Sequence, residues 1–79
     1  MSQKVVHLQL KNVLRETIEL RLEPWGEVHT MAPSDAVDVK ATGPSDGMLQ
    51  VEFGERSIII YGWTGSVVRL YRNGSELLG

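Results

Sequence analysis

The feature that most restricts the fold of this chain is the period of its apolar residues. They recur at every second position, interrupted by turn signals every 8–12 residues, and no window sustains them at i, i+3, i+4 and i+7. A two-residue period fits strands with one buried face, and turns at that spacing fit an all-β sandwich or barrel. The first strand, over about 4–11, turns Val6, Leu8 and Leu10 to one face and His7 and Gln9 to the other. Residues 12–16 form a connection whose form residue order leaves undetermined. The next strand, about 17–23, places Ile18, Leu20 and Leu22 inward and Glu19, Arg21 and Glu23 outward.

Turn chemistry extends the map. In Glu23-Pro24-Trp25-Gly26-Glu27, proline pre-sets φ for a type I turn, and Gly26 suits the left-handed position of a bulge. A three-residue loop there pairs Leu22 with Val28, Arg21 with His29 and Leu20 with Thr30. Val28 then faces inward, and His29 faces outward. After the turn at Ala32-Pro33-Ser34-Asp35 comes a strand with Val37, Val39 and Ala41 inside. Gly43-Pro44-Ser45-Asp46-Gly47 reads as a loop. A strand over about 48–53 turns Leu49, Val51 and Phe53 inward, and a loop of even length returns Ile58 and Ile60 to the same core.

Strand 67–72 follows, and placing Val68 and Leu70 beside Ile60 requires an odd loop or a bulge at Thr64–Ser66. Asn73-Gly74 is the strongest hairpin signal in the chain. As a type I′ turn it pairs Arg72 with Ser75, Tyr71 with Glu76 and Leu70 with Leu77. The expected fold is a small antiparallel β-sandwich or partly open barrel of seven to eight short strands joined by hairpins.

Seventy-nine residues are expected to form one β domain spanning 1–79, with marginal stability of its own. The chain has no cysteine, so a disulfide or thiolate metal site is excluded, and stability must come from an apolar core or from association. At 42% hydrophobic residues a core is within its means. The N-terminal residues do not read as a signal peptide, and no apolar run approaches the length that crosses a bilayer as a helix. A cytoplasmic chain with no membrane contact is expected. A net charge of −2 argues against nucleic acid as a partner.

No motif points to catalysis. Neither His7 nor His29 lies near a Gly-x-Ser-x-Gly element, and Asp35, Asp38 and Asp46 lack the spacing of a calcium loop. No cofactor and no metal ligand set are expected.

The richest feature is the reverse of the 58–63 and 67–72 strands. Alternation turns Ile59, Tyr61 and Trp63 away from the core and sets Val67, Arg69 and Tyr71 beside them. That is more apolar and aromatic surface than a small monomer leaves wet, and Tyr, Trp and Arg are the residue types enriched at binding hot spots. Three readings stand open: another strand or loop covers the face, it is a protein interface such as a homodimer, or it stacks a sugar, a nucleic acid or another small ligand. Trp25, at its hairpin tip, is either a further anchor or a lid on the barrel end. The expected function is a non-catalytic binding module resting on Ile59, Tyr61, Trp63, Arg69, Tyr71 and Trp25. The alternative is single-stranded nucleic acid or a small ligand held by a small barrel, with Arg56, Arg69 and Arg72 supplying charge.

Leu22-Glu23-Pro24-Trp25-Gly26-Glu27, Met31-Ala32-Pro33-Ser34-Asp35 and Val37-Asp38-Val39, with Val51-Glu52-Phe53-Gly54 and Tyr61-Gly62-Trp63-Thr64-Gly65-Ser66, resemble a set of small bacterial proteins with a Leu-Glu-Pro-Trp-Gly hairpin. Here Ser34-Asp35 stands where Pro-Gly is usual. The resemblance implies a bacterial source and a compact β-sandwich, and implies no activity.

Overall fold

The computed structural model describes residues 2–78, all in strands, turns and loops. In chain order the strands are β1 (Gln3–Lys11), β2 (Ile18–Glu23), β3 (Glu27–Met31), β4 (Ala36–Pro44), β5 (Gln50–Phe53), β6 (Ser57–Tyr61), β7 (Val67–Arg72) and β8 (Ser75–Leu77). They form a β-sandwich of two four-stranded sheets, one in the order β1-β4-β7-β8 and the other β3-β2-β6-β5. Every neighbouring pair is antiparallel except β2 and β6, which run parallel. The facing interiors supply the core: Val37, Val39 and Leu70 from the first sheet, and Ile18, Leu20, Leu22, Met31, Ile58 and Ile60 from the second. Alternation alone predicts most of that set, because a strand turns successive side chains to opposite faces.

The Asn73-Gly74 turn has both residues at positive φ, as a type I′ turn requires, and pairs Leu70 with Leu77, Tyr71 with Glu76 and Arg72 with Ser75. The loop between β5 and β6 is even, so Val51 meets Ile60 and Phe53 meets Ile58.

Four expectations are corrected, three of them local. The β2–β3 hairpin closes on the pair Leu22 and Glu27, with four residues (23–26) between them and a cis Glu23–Pro24 bond, and pairs Leu20 with His29. The one-residue shift reverses every face on β3. It buries Met31 completely, leaves Val28 exposed and turns His29 inward, its side chain 12% exposed and Nε2 3.3 Å from Glu27 Oε1. Phe53 shares the inner parity of Val51 but is 73% exposed, because β5 is an edge strand and Phe53 ends it beyond the packed core. Gly43 and Pro44 extend β4 and pair with Lys4 and Gln3, so the loop begins at Ser45.

The remaining correction bears on function. Strands β6 and β7 are not a hairpin. The segment Gly62–Ser66 carries the chain from one sheet to the other, so Ile60 and Leu70 face each other across the core instead of lying side by side. No bulge is then needed to reconcile their parity.

Candidate interaction site

Because β6 and β7 belong to different sheets, the residues on which the binding reading rests, Trp25 at its hairpin tip among them, divide into groups. Ile59 and Tyr61 lie on the outer face of the second sheet, where Ile59 is flanked by Arg21 and Glu52. Arg69 and Tyr71 lie on the outer face of the first sheet, on the opposite side of the molecule. Trp63 sits in the crossing segment and Trp25 in the β2–β3 turn. The fold therefore brings Trp25, Tyr61 and Trp63 together at one end of a molecule 43 Å in its longest dimension, where they line a cleft of about 530 Å³ with Pro24 and Gly62.

Glycines shape that end. A Cβ on Gly62 would stand 2.5 Å from the Trp25 ring, and one on Gly47 would overlap the Trp63 ring. Each indole thus lies against bare backbone, a close approach that only glycine permits. Trp63 is held tightly. Its Nε1–H donates to the Pro44 carbonyl at 2.9 Å and its backbone N–H to Ser66 Oγ at 2.9 Å, while the Lys4 ammonium lies 5.4 Å from the ring centroid and donates to the Gly47 carbonyl. Trp63 is a structural ring with one edge in the cleft. Trp25 is different: it covers Gly62 yet stays 49% exposed. It is a lid and an exposed ring at once.

Acidic side chains surround Tyr61. Glu23 pairs with it across the sheet, and its hydroxyl donates to Glu52 Oε1 at 3.2 Å. Burial, the Glu52 carboxylate and the Glu23 carboxylate hold the phenol's pKa above its ordinary value of 10.0. A raised pKa favours the neutral phenol in the folded chain. Its contribution to stability is whole below the ordinary tyrosine value and is lost as pH climbs above it. In a Tyr71→Phe background Tyr61 is the sole tyrosine, and its ultraviolet titration midpoint is expected above 10.0. A midpoint at or below that value would contradict the arrangement.

On the first sheet, register lines up His7, Lys40 and Arg69 in one row across three strands, and Gln9, Asp38, Tyr71 and Glu76 in the next. Arg69 pairs with Glu76 at 3.0 Å, and Asp38 accepts a hydrogen bond from Gln9 at 2.9 Å. Lys40 and Tyr71 border two shallow depressions there, of about 470 and 310 Å³.

The far end holds an apolar group that strand periodicity missed. Val13, Leu14 and Phe53 are 81%, 49% and 73% exposed and line a cleft of about 180 Å³ with Ile18 and Ile58. Asn12, 1% exposed, sets this loop. Its Nδ2 donates to the Glu16 and Met31 carbonyls at 2.8 and 3.0 Å, and its Oδ1 accepts the Leu14 N–H at 3.0 Å. An asparagine at the start of a connection favours such a turn, and that was the available signal.

No protein-family model, curated protein or solved structure matches the chain.

Proposed function

We propose that this protein is a non-catalytic interaction module that holds a protein partner at the Trp25–Tyr61 end of the sandwich. The observation that carries this reading is the Trp25 ring, half exposed and seated on Gly62 beside a partly buried tyrosine. Rigid aromatic rings offer large contact area at small entropic cost, which is why tryptophan and tyrosine dominate binding hot spots. The Glu23 and Glu52 carboxylates beside them favour a segment bearing a basic residue. The histidines give no support to nucleophilic catalysis, since His7 faces outward from β1 and His29 inward from β3, on different sheets.

The test is panning of a displayed peptide library on the wild-type chain, with Trp25→Ala as the counter-selection. Peptides combining an apolar and a basic residue are expected to be retained, with at least about tenfold weaker retention on Trp25→Ala, the scale of a hot-spot truncation. Equal retention on both proteins removes the cleft from consideration.

The row of His7, Lys40 and Arg69 beside Tyr71 favours a second reading, in which single-stranded nucleic acid lies across the first sheet. Retention on single-stranded DNA or RNA that falls steeply with salt would separate it from the first.

A further inference from the structure

We propose that β1 is the seam of a two-fold homodimer, in which this edge strand pairs antiparallel with β1 of a second copy about His7, and that protonation of the two facing histidines opens it. The proposal uses neither Trp25 nor Tyr61 and stands apart from the peptide-binding reading.

The four sheet edges are unequal. β8, β5 and β3 have 3, 4 and 5 residues, whereas β1 has 9, paired with β4 without a bulge or a proline from Gln3 to Lys11. A long regular edge left without such protection is a template for pairing with another chain. An inward-facing lysine can blunt an edge, but the Lys4 ammonium is already occupied by the Gly47 carbonyl and the Trp63 ring.

Hydrogen bonds at the two ends of the β1–β4 ladder show which main-chain groups are free. Asn12 N–H donates to the Asp35 carbonyl at 2.9 Å, and Ser45 N–H to the Ser2 carbonyl at 3.1 Å. Even-numbered residues therefore address β4, and alternation directs the N–H and C=O of Gln3, Val5, His7, Gln9 and Lys11 to the open edge. A two-fold axis at His7 sets those odd residues opposite one another, Gln3 with Lys11, Val5 with Gln9 and His7 with His7, for about ten new main-chain hydrogen bonds. On the inner face the same axis sets Val6 against Leu8 and Lys4 against Leu10. Val6, Leu8 and Leu10 are only half-buried, and the second copy covers them. Centring the axis on Val5 or Gln9 keeps the parity but confines the seam to residues 3–7 or 7–11. The His7 register is the only one that uses the whole strand.

A second copy is the occupant because the strand complements itself. No like charges meet in the seam while histidine is neutral. When it is protonated, two imidazolium groups face each other. The outer-face row through the seam then reads Arg69, Lys40, His7 and the same residues in reverse from the second copy. Around His7 stand Lys40 directly across on β4, Asp38 and Thr42 diagonally, and Val5 and Gln9 on its own strand. Asp38 is engaged by Gln9, and Arg69 by Glu76. Like charges directly opposite weaken a strand pair, and histidine is the side chain that exchanges its charge in the physiological pH range.

Sedimentation velocity on the full chain, from about 1 to 500 μM at about pH 7.5 and 5.5, tests this. The wild type is expected to be a dimer at the higher pH and to dissociate at least about tenfold more readily at the lower. Val5→Pro removes one free-edge N–H and leaves the bonds to β4 in place. His7→Lys fixes the charge. Both are expected to be monomers at either pH. His7→Gln is expected to dimerise at both. A wild type that stays monomeric at the top concentration overturns the proposal, as does a folded Val5→Pro that dimerises like the wild type. A pH dependence that survives in His7→Gln overturns the histidine switch. If Val5→Pro does not fold, a dimeric His7→Lys at the higher pH overturns the seam.

Discussion

Asn12→Ala is expected to lower stability by about 3 kcal/mol, because three buried or half-buried main-chain groups lose a partner at once. The Asn12 amide is 1% exposed and ties the Glu16 and Met31 carbonyls to the Leu14 N–H. Alanine meets none of them and leaves a hole where the β1–β2 connection turns under the sandwich. In a domain of this size that loss corresponds to roughly 12–24 °C in Tm. Asn12→Asp separates the hydrogen bonds from the shape. It keeps the acceptor for Leu14, but it sets a buried carboxylate against two carbonyl oxygens. It should be worse than alanine at neutral pH and partly recover on acidification, as the protonated acid regains a donor. Thermal unfolding of the three proteins at two pH values decides the matter. Asn12→Ala within about 0.5 kcal/mol of wild type, the range of a neutral surface change, would show that the network does not hold the loop.

Gly47→Ala is expected to cost about 2 kcal/mol, the range of an overpacked site. The added methyl group overlaps the Trp63 ring, which must leave its seat. With it go the bond from Nε1 to the Pro44 carbonyl and the contact with Lys4. Fluorescence reports the displacement directly. In a Trp25→Phe background Trp63 is the only tryptophan, and its emission should shift to the red when Gly47 is replaced. An unshifted spectrum with unchanged stability would mean that the ring does not rest on this glycine. Trp25 itself should be far more tolerant, since it is half exposed and covers the end of the sandwich rather than filling it.

Much of the interior was readable from residue order. Leu20, Leu22, Val37, Val39, Ile58, Ile60 and Leu70 are buried as two-residue alternation requires, and Asn73-Gly74 specified both a turn and its register. The misplacement of β3 has a local origin. At Glu23–Gly26 a single residue of loop length reversed β3, exchanging Val28 for Met31 in the core and bringing His29 inward. The proline and glycine marked where the turn falls, and its length depended on which β3 face the rest of the core could accept. The candidate site was legible only in part. Trp25, Tyr61 and Trp63 do gather, but Arg69 and Tyr71 join His7 and Lys40 on another surface.

Residue order alone decided that these segments are strands, which face of most strands is apolar, and where the chain turns, because all three follow from the local geometry of an extended backbone. Beyond the hairpins β2–β3, β5–β6 and β7–β8, which strand lies beside which was decided only in the assembled sandwich. Strand pairing is a contact between distant parts of the chain, selected by how the two inner faces fit together. The parallel contact of β2 with β6, the crossing at Gly62–Ser66 and the exposed length of β1 are consequences of that fit. An alternating strand records up and down but says nothing of its neighbour.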